Sequence, residues 1–186
     1  MNWVMIKFRS VFWVVLIFSN HMVSIAQEAP KVEKRRLLDG RIELLVPVGF
    51  TEMTPESLKS KYPSSKPPQL VITDERGATN VALTWSQSSA SQAELSSYKV
   101  YLQAALEKAQ PKAKWYNQGI QDIDGRQVGY LELLTPVPDG VIYNLIFFTD
   151  MEERLLMVSF NCLEEEIAIW KPTAQQIMKS LRVVKP

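Results

Sequence analysis

Few side chains in this chain are equipped for acid–base, nucleophilic or metal chemistry. The only histidine is His21 and the only cysteine is Cys162. His21 lies in an N-terminal stretch that reads as a leader, so the rest of the chain has no imidazole. That removes the histidine-activated serine and cysteine nucleophiles and the ordinary zinc sites. Cys162 ends the apolar run Val158-Ser159-Phe160-Asn161 with no neighbouring cation to lower its pKa, and it reads as a buried, inert thiol. Asp122-Ile123-Asp124-Gly125 has the opening of a calcium loop, but Leu133 stands where the twelfth-position glutamate belongs. A hairpin turn is the better reading. Glu164, Glu165 and Glu166 suit a helix's first turn, where the dipole favours carboxylates. Gly119, Gly125 and Gly129 are too far apart to cradle a phosphate, and no nucleotide-binding motif is present. The expectation is a protein without catalytic residues, metal or cofactor.

Binding residues are the remaining candidates. Lys34, Arg35 and Arg36, with Lys31, form a basic cluster diluted by Glu28 and Glu33, suited to an acidic partner or lipid headgroups. Trp115 and Tyr116 open an expected strand, and aromatic residues at element ends can form binding surfaces. Trp85, Trp170, Tyr98 and Tyr101 have core-like spacing.

The elements that must position these residues follow a leader. Lys7 and Arg9 precede the apolar run from Val11 to Phe18, and Ser24-Ile25-Ala26 supplies small residues for cleavage near Ala26. The run is shorter than the about 20 residues a membrane span needs. Residues 1–26 therefore read as a signal peptide, 27–36 as a flexible lead-in and 37–186 as a single domain, exported to the periplasm or secreted. Without residues 1–26 the net charge changes from +1 to −1, so nucleic acid is not an expected partner.

Asp39-Gly40 marks a hairpin before a strand that runs from Arg41 to Val46. Thr54-Pro55-Glu56 starts a short helix that Pro63 ends. Strands are expected at 69–74 and 79–86. Ser91 and Glu94 form a capping box for a helix that carries Leu95, Tyr98, Leu102, Ala105, Leu106 and Ala109 on one stripe. A meander of four strands follows at about 114–121, 126–135, 141–149 and 154–161. A last helix is expected from near Asn161, with Pro172 kinking or restarting it. The fold class is α+β, an α/β/α sandwich with a mainly antiparallel sheet of six or seven strands and helices on both faces.

Several segments stand out in this order: the corner Pro47-Val48-Gly49-Phe50, the helix from Gln92 to Gln110, and Ile123-Asp124-Gly125-Arg126 in the meander. The closing segments Trp170-Lys171-Pro172 and Ser180-Leu181-Arg182-Val183 complete the set. With them the chain resembles the PsbP-like and DcrB-like superfamily, which includes the Ran-binding Mog-type proteins. The segments are turn, cap and core positions, so the resemblance implies a fold and a style of function: non-catalytic accessory or assembly subunits that bind another protein. The expected partner is another protein of the bacterial cell envelope. The alternative is a lipid or small apolar ligand held in a pocket between sheet and helix.

Overall fold

The computed structural model describes residues 28–64 and 66–184. The leader expected at residues 1–26 lies outside the described residues.

The chain builds ten strands and three helices among these residues. β1 (Val32–Leu37) and β2 (Ile42–Pro47) form the hairpin that Asp39-Gly40 announces, with Leu38, Asp39 and Gly40 all at positive φ. β10 (Arg182–Val183) joins the other side of β2, which completes a small antiparallel sheet in the order β1-β2-β10. Residues 27–36 are therefore not simply a lead-in. Val32–Leu37 is an edge strand whose only buried side chain is Leu37, and such a strand has the polar composition of a loop.

The main sheet has seven strands: β3 (Thr51–Glu52), β4 (Leu70–Thr73), β5 (Asn80–Ser89), β6 (Lys114–Ile123), β7 (Arg126–Val137), β8 (Gly140–Met151) and β9 (Arg154–Leu163). Their order is β3-β4-β5-β9-β8-β7-β6, all antiparallel. β6 to β9 are the expected meander, each a little longer than expected. β9 continues through Cys162 to Leu163, so the closing helix does not begin near Asn161. A 3-10 turn at Glu164–Glu166 leads into α3 (Ile167–Lys179), which runs on through Pro172. α1 (Pro55–Lys61) is capped by Thr54, whose hydroxyl oxygen accepts from the Ser57 amide. A turn at Gln92–Glu94 precedes α2 (Leu95–Ala109). There the expected capping box does not form: neither side chain bonds a backbone amide, and the Ser91 hydroxyl instead donates to the Glu94 carboxylate at 2.7 Å.

The seven-stranded sheet is covered differently on its two faces. On one face lie α3 and the small sheet, and the larger core forms between them. It contains Ile42, Leu44, Val46, Leu83, Leu145, Phe147, Val158, Phe160, Ala174 and Ile177. The other face carries α2 over a smaller core of Ala90, Leu95, Leu131, Phe148 and Leu155. The result is the expected sandwich, with one outer layer divided between a helix and a three-stranded sheet. Among the described residues, no helix is long and apolar enough to cross a membrane.

Candidate functional site

α2 is fastened firmly at its N-terminal end. Gln92 accepts from the Gln127 amide at 2.6 Å and donates to Thr149 Oγ1 at 3.1 Å and to Asp150. Leu95 is fully buried, and the Tyr98 hydroxyl donates to the Ser89 carbonyl. Beyond that point the helix rides higher. Leu102 and Leu106 are half-buried, and Ala105 and Ala109 are exposed. The apolar stripe expected to be core is seated only at its start.

The small side chains along the rest of the stripe leave a trough between helix and sheet, with a volume of about 380 Å3. Its wall is Leu102, Ala105, Leu106 and Ala109, and its floor is made of strand residues. Register fixes that floor. Ala82 pairs with Ser159, Ser159 with Ile146, and Ile146 with Leu131, so these four residues form one row across β5, β9, β8 and β7. Side chains alternate along a strand, so residues two positions on share the face. The next row in one direction holds Thr84, Met157, Phe148 and Gly129. In the other direction it holds Asn80, Asn161 and Asn144.

That second row is polar and bonded across strands. Asn161 donates through Nδ2 to Asn144 Oδ1, and Asn144 Nδ2 donates to Thr135 Oγ1 at 3.1 Å. Asn80 is 2% exposed, and its Oδ1 accepts from the Tyr62 hydroxyl at 3.1 Å.

A second polar cluster sits on the opposite face, under α3. Glu132 is 2% exposed. Its Oε1 accepts from the Tyr143 hydroxyl at 3.0 Å and lies 2.8 Å from Lys171 Nζ. Burial, and then the Glu132 charge, push the Tyr143 phenol above its ordinary pKa. Lys171 also stands over the Tyr116 ring, 4.5 Å from its centroid. These contacts satisfy one buried carboxylate and leave no free base or nucleophile. Cys162, fully buried, has its thiol pushed up to about 12 by burial and then by Glu166 and Glu165. The structure thus bears out the reading of Cys162 as buried. Asp122–Gly125 is the hairpin turn between β6 and β7, with Asp124 and Gly125 at positive φ. Glu166 pairs with Arg76 at 2.7 Å. No cluster of potential metal ligands occurs among the described residues.

The structure does not bring the residues singled out from the sequence together. Lys34, Arg35 and Arg36 lie on β1, and each has an acidic neighbour: Glu43 is 3.6 Å from Lys34 and 3.0 Å from Arg36, and Glu33 is 2.6 Å from Arg35. Trp115 and Tyr116 lie on the other sheet, and a bulge in β6 at Tyr116 separates even these two. Trp115 packs beside the α2 core, whereas Tyr116, half exposed, approaches Tyr143 and Lys171. The three-asparagine row was not singled out from the sequence. Its signal there is faint: an asparagine within or at the start of three separate apolar strands.

No protein-family model and no curated protein matches this sequence. Solved structures do match its fold. The PsbP protein of the cyanobacterium Synechocystis sp. PCC 6803 (CyanoP) superimposes with a TM-score of 0.62 at 17% identity, over 86% of this chain and 95% of that one. LpqN of Mycobacterium tuberculosis, a protein involved in cell envelope biogenesis, gives 0.54 at 12% identity, over 83% and 91%. PA94 of Pseudomonas aeruginosa, a protein of unknown function, gives 0.50 at 15%, over 83% and 98%. Element order, the seven-stranded antiparallel sheet and these superpositions agree, and the chain has the α/β/α sandwich fold of the PsbP-like and DcrB-like proteins.

Proposed function

We propose that this chain is an exported, non-enzymatic binding or assembly accessory of the bacterial cell envelope. The observation that carries this reading is the state of α2. Of its fifteen residues only Leu95 is buried, and it presents Val100 and Tyr101 to solvent at 63% and 67% exposure. A helix with apolar side chains outward and a half-covered stripe inward is a surface that a partner can complete. The fold shared with LpqN, itself an envelope-biogenesis protein, supports the same reading.

The test is a crosslinked pull-down of the tagged protein from intact cells. A stoichiometric envelope protein that is lost on Tyr101→Ala supports the reading, and a partner indifferent to α2 refutes it. Export is tested separately by N-terminal sequencing of the processed protein, which is expected to start at Gln27.

A second reading is favoured by the trough itself. Its volume of about 380 Å3 falls within the range of small-molecule sites, which fits a carrier of a lipid or small apolar ligand.

A further inference from the structure

We infer that the trough beside α2 takes a single-chain amphiphile whose tail lies on the Ala82–Ile146 row and whose carbonyl or carboxylate head meets the asparagine row. The inference rests on the carrier reading and goes beyond it by assigning the ligand's chemistry and its orientation.

Three observations carry it. First, the trough is apolar and made by small residues from both sides. Ala105 and Ala109 of α2 face Ala82 and Ser159 of the sheet, so the space is set by the side chains chosen there. Second, its two ends differ. Toward the start of α2 it is closed by the packed Leu95, Phe148 and Leu155. In the other direction, one row away (about 7 Å along the strands), the apolar floor gives way to Asn144, Asn161 and Asn80. Third, this row has hydrogen-bond donors to spare. Asn80, 2% exposed, commits its carbonyl oxygen to Tyr62, while its Nδ2 makes no hydrogen bond among the described residues. Asn161 Nδ2 spends one of its two hydrogens on Asn144. An amide N–H that a bound ligand shields from water is satisfied by an acceptor, not by another donor. A ligand with an apolar body and an oxygen-acceptor head meets both requirements. A wholly apolar molecule leaves the amides unpaired, and a cationic head offers them nothing to bond.

The experiment is displacement of the fluorescent apolar probe 1-N-phenylnaphthylamine from the purified protein by decanoate and by decyltrimethylammonium, below their micellar concentrations. Decanoate is expected to displace the probe at least about tenfold more effectively. Asn161→Leu is expected to remove that preference, bringing the two amphiphiles to equal displacement once each is referred to the variant's own probe affinity. Ala105→Trp, at an exposed position where the fold is not at risk, is expected to abolish probe binding.

Failure of the probe to bind saturably overturns both the carrier reading and this inference. Probe binding with equal displacement by the two amphiphiles, unaffected by Asn161→Leu, leaves the carrier reading standing and overturns the assignment of the head. Probe binding untouched by Ala105→Trp places the ligand elsewhere and overturns the site. A concentration-dependent dimer in sedimentation, abolished by Ala105→Trp and accompanied by no decanoate binding, makes a second copy of the chain the occupant and overturns the inference.

Discussion

Gly129 and Phe148 face each other across β7 and β8 so closely that a Cβ at position 129 would lie 2.3 Å from the Phe148 ring. The ring lies over the glycine and fills the space a side chain would take. Phe148 in turn helps close the end of the trough. Gly129→Ala is expected to destabilise the fold by about 1–3 kcal/mol, the usual cost of overpacking. Chemical denaturation of the single variants and of the pair with Phe148→Leu checks this. In the double variant the cost at 129 should largely disappear.

Lys171 and Glu132 supply the second expectation. The carboxylate is almost wholly buried, while the ammonium group is one-third exposed. Lys171→Met leaves the charge with only the Tyr143 hydroxyl and is expected to cost about 1–3 kcal/mol. Adding Glu132→Gln should recover much of that loss, because a neutral amide still accepts from Tyr143. A urea midpoint that stays unchanged in Lys171→Met would show that the pair contributes nothing.

Cys162 gives the fold a dependence on alkaline pH. Its thiol ionises at about 12 in the folded protein against 9.0 ordinarily. A group whose pKa is raised by folding stabilises fully below its unfolded value, and the contribution is lost as pH rises toward the folded one. Stability should therefore fall between about pH 9 and 12. Tyr143, raised in the same direction from 10.0, adds to the fall above pH 10. Cys162→Ala is expected to be less stable than the parent at pH 8, with the difference narrowing above pH 9. Urea midpoints across that range test the sign. A thiol reagent should modify Cys162 only after unfolding.

The strand Val32–Leu37 leads to a fourth expectation. Its partners on β2 run from Val32 opposite Pro47 to Leu37 opposite Ile42, and the Val48 amide donates to the Lys31 carbonyl. A chain that begins at Leu37 should lose about 2 kcal/mol or more from these backbone bonds, and its thermal midpoint should fall. A truly flexible lead-in would leave the midpoint where it was.

That strand shows where the sequence was silent. Turns were legible because their chemistry is local: Asp39-Gly40, Asp124-Gly125 and Asp139-Gly140 each mark a reversal of the chain. β8 and β9 were legible because long apolar runs bounded by turns leave little choice, and the mostly polar β6 was legible from the turn that follows it. β1 was not, because Glu33, Lys34, Arg35 and Arg36 carry the composition of a solvated segment, and only pairing with β2 makes them a strand. The division into two sheets was hidden for a related reason: β10 is two residues long and pairs with β2, far away in the sequence. The candidate site was the least legible part. Asn80, Asn144 and Asn161 meet only through strand register. The stripe on α2 reads as core until its contacts show that Ala105 and Ala109 are too small to close the gap to the sheet.

The bulge at Tyr116 has a consequence for how the molecule meets copies of itself. β6 is the last strand of the main sheet on its side, with an unpaired rim of backbone that an unfolded neighbour could extend. The extra residue interrupts that rim between Trp115 and Asn117, and just past it the Gln118 amide is already taken by the Asn117 side-chain oxygen at 2.8 Å. An incoming strand therefore finds no straight ten-residue template, only a shorter one with its first bond spent. Where many copies fold side by side, that blunted rim favours separate folded chains over growth into a fibre.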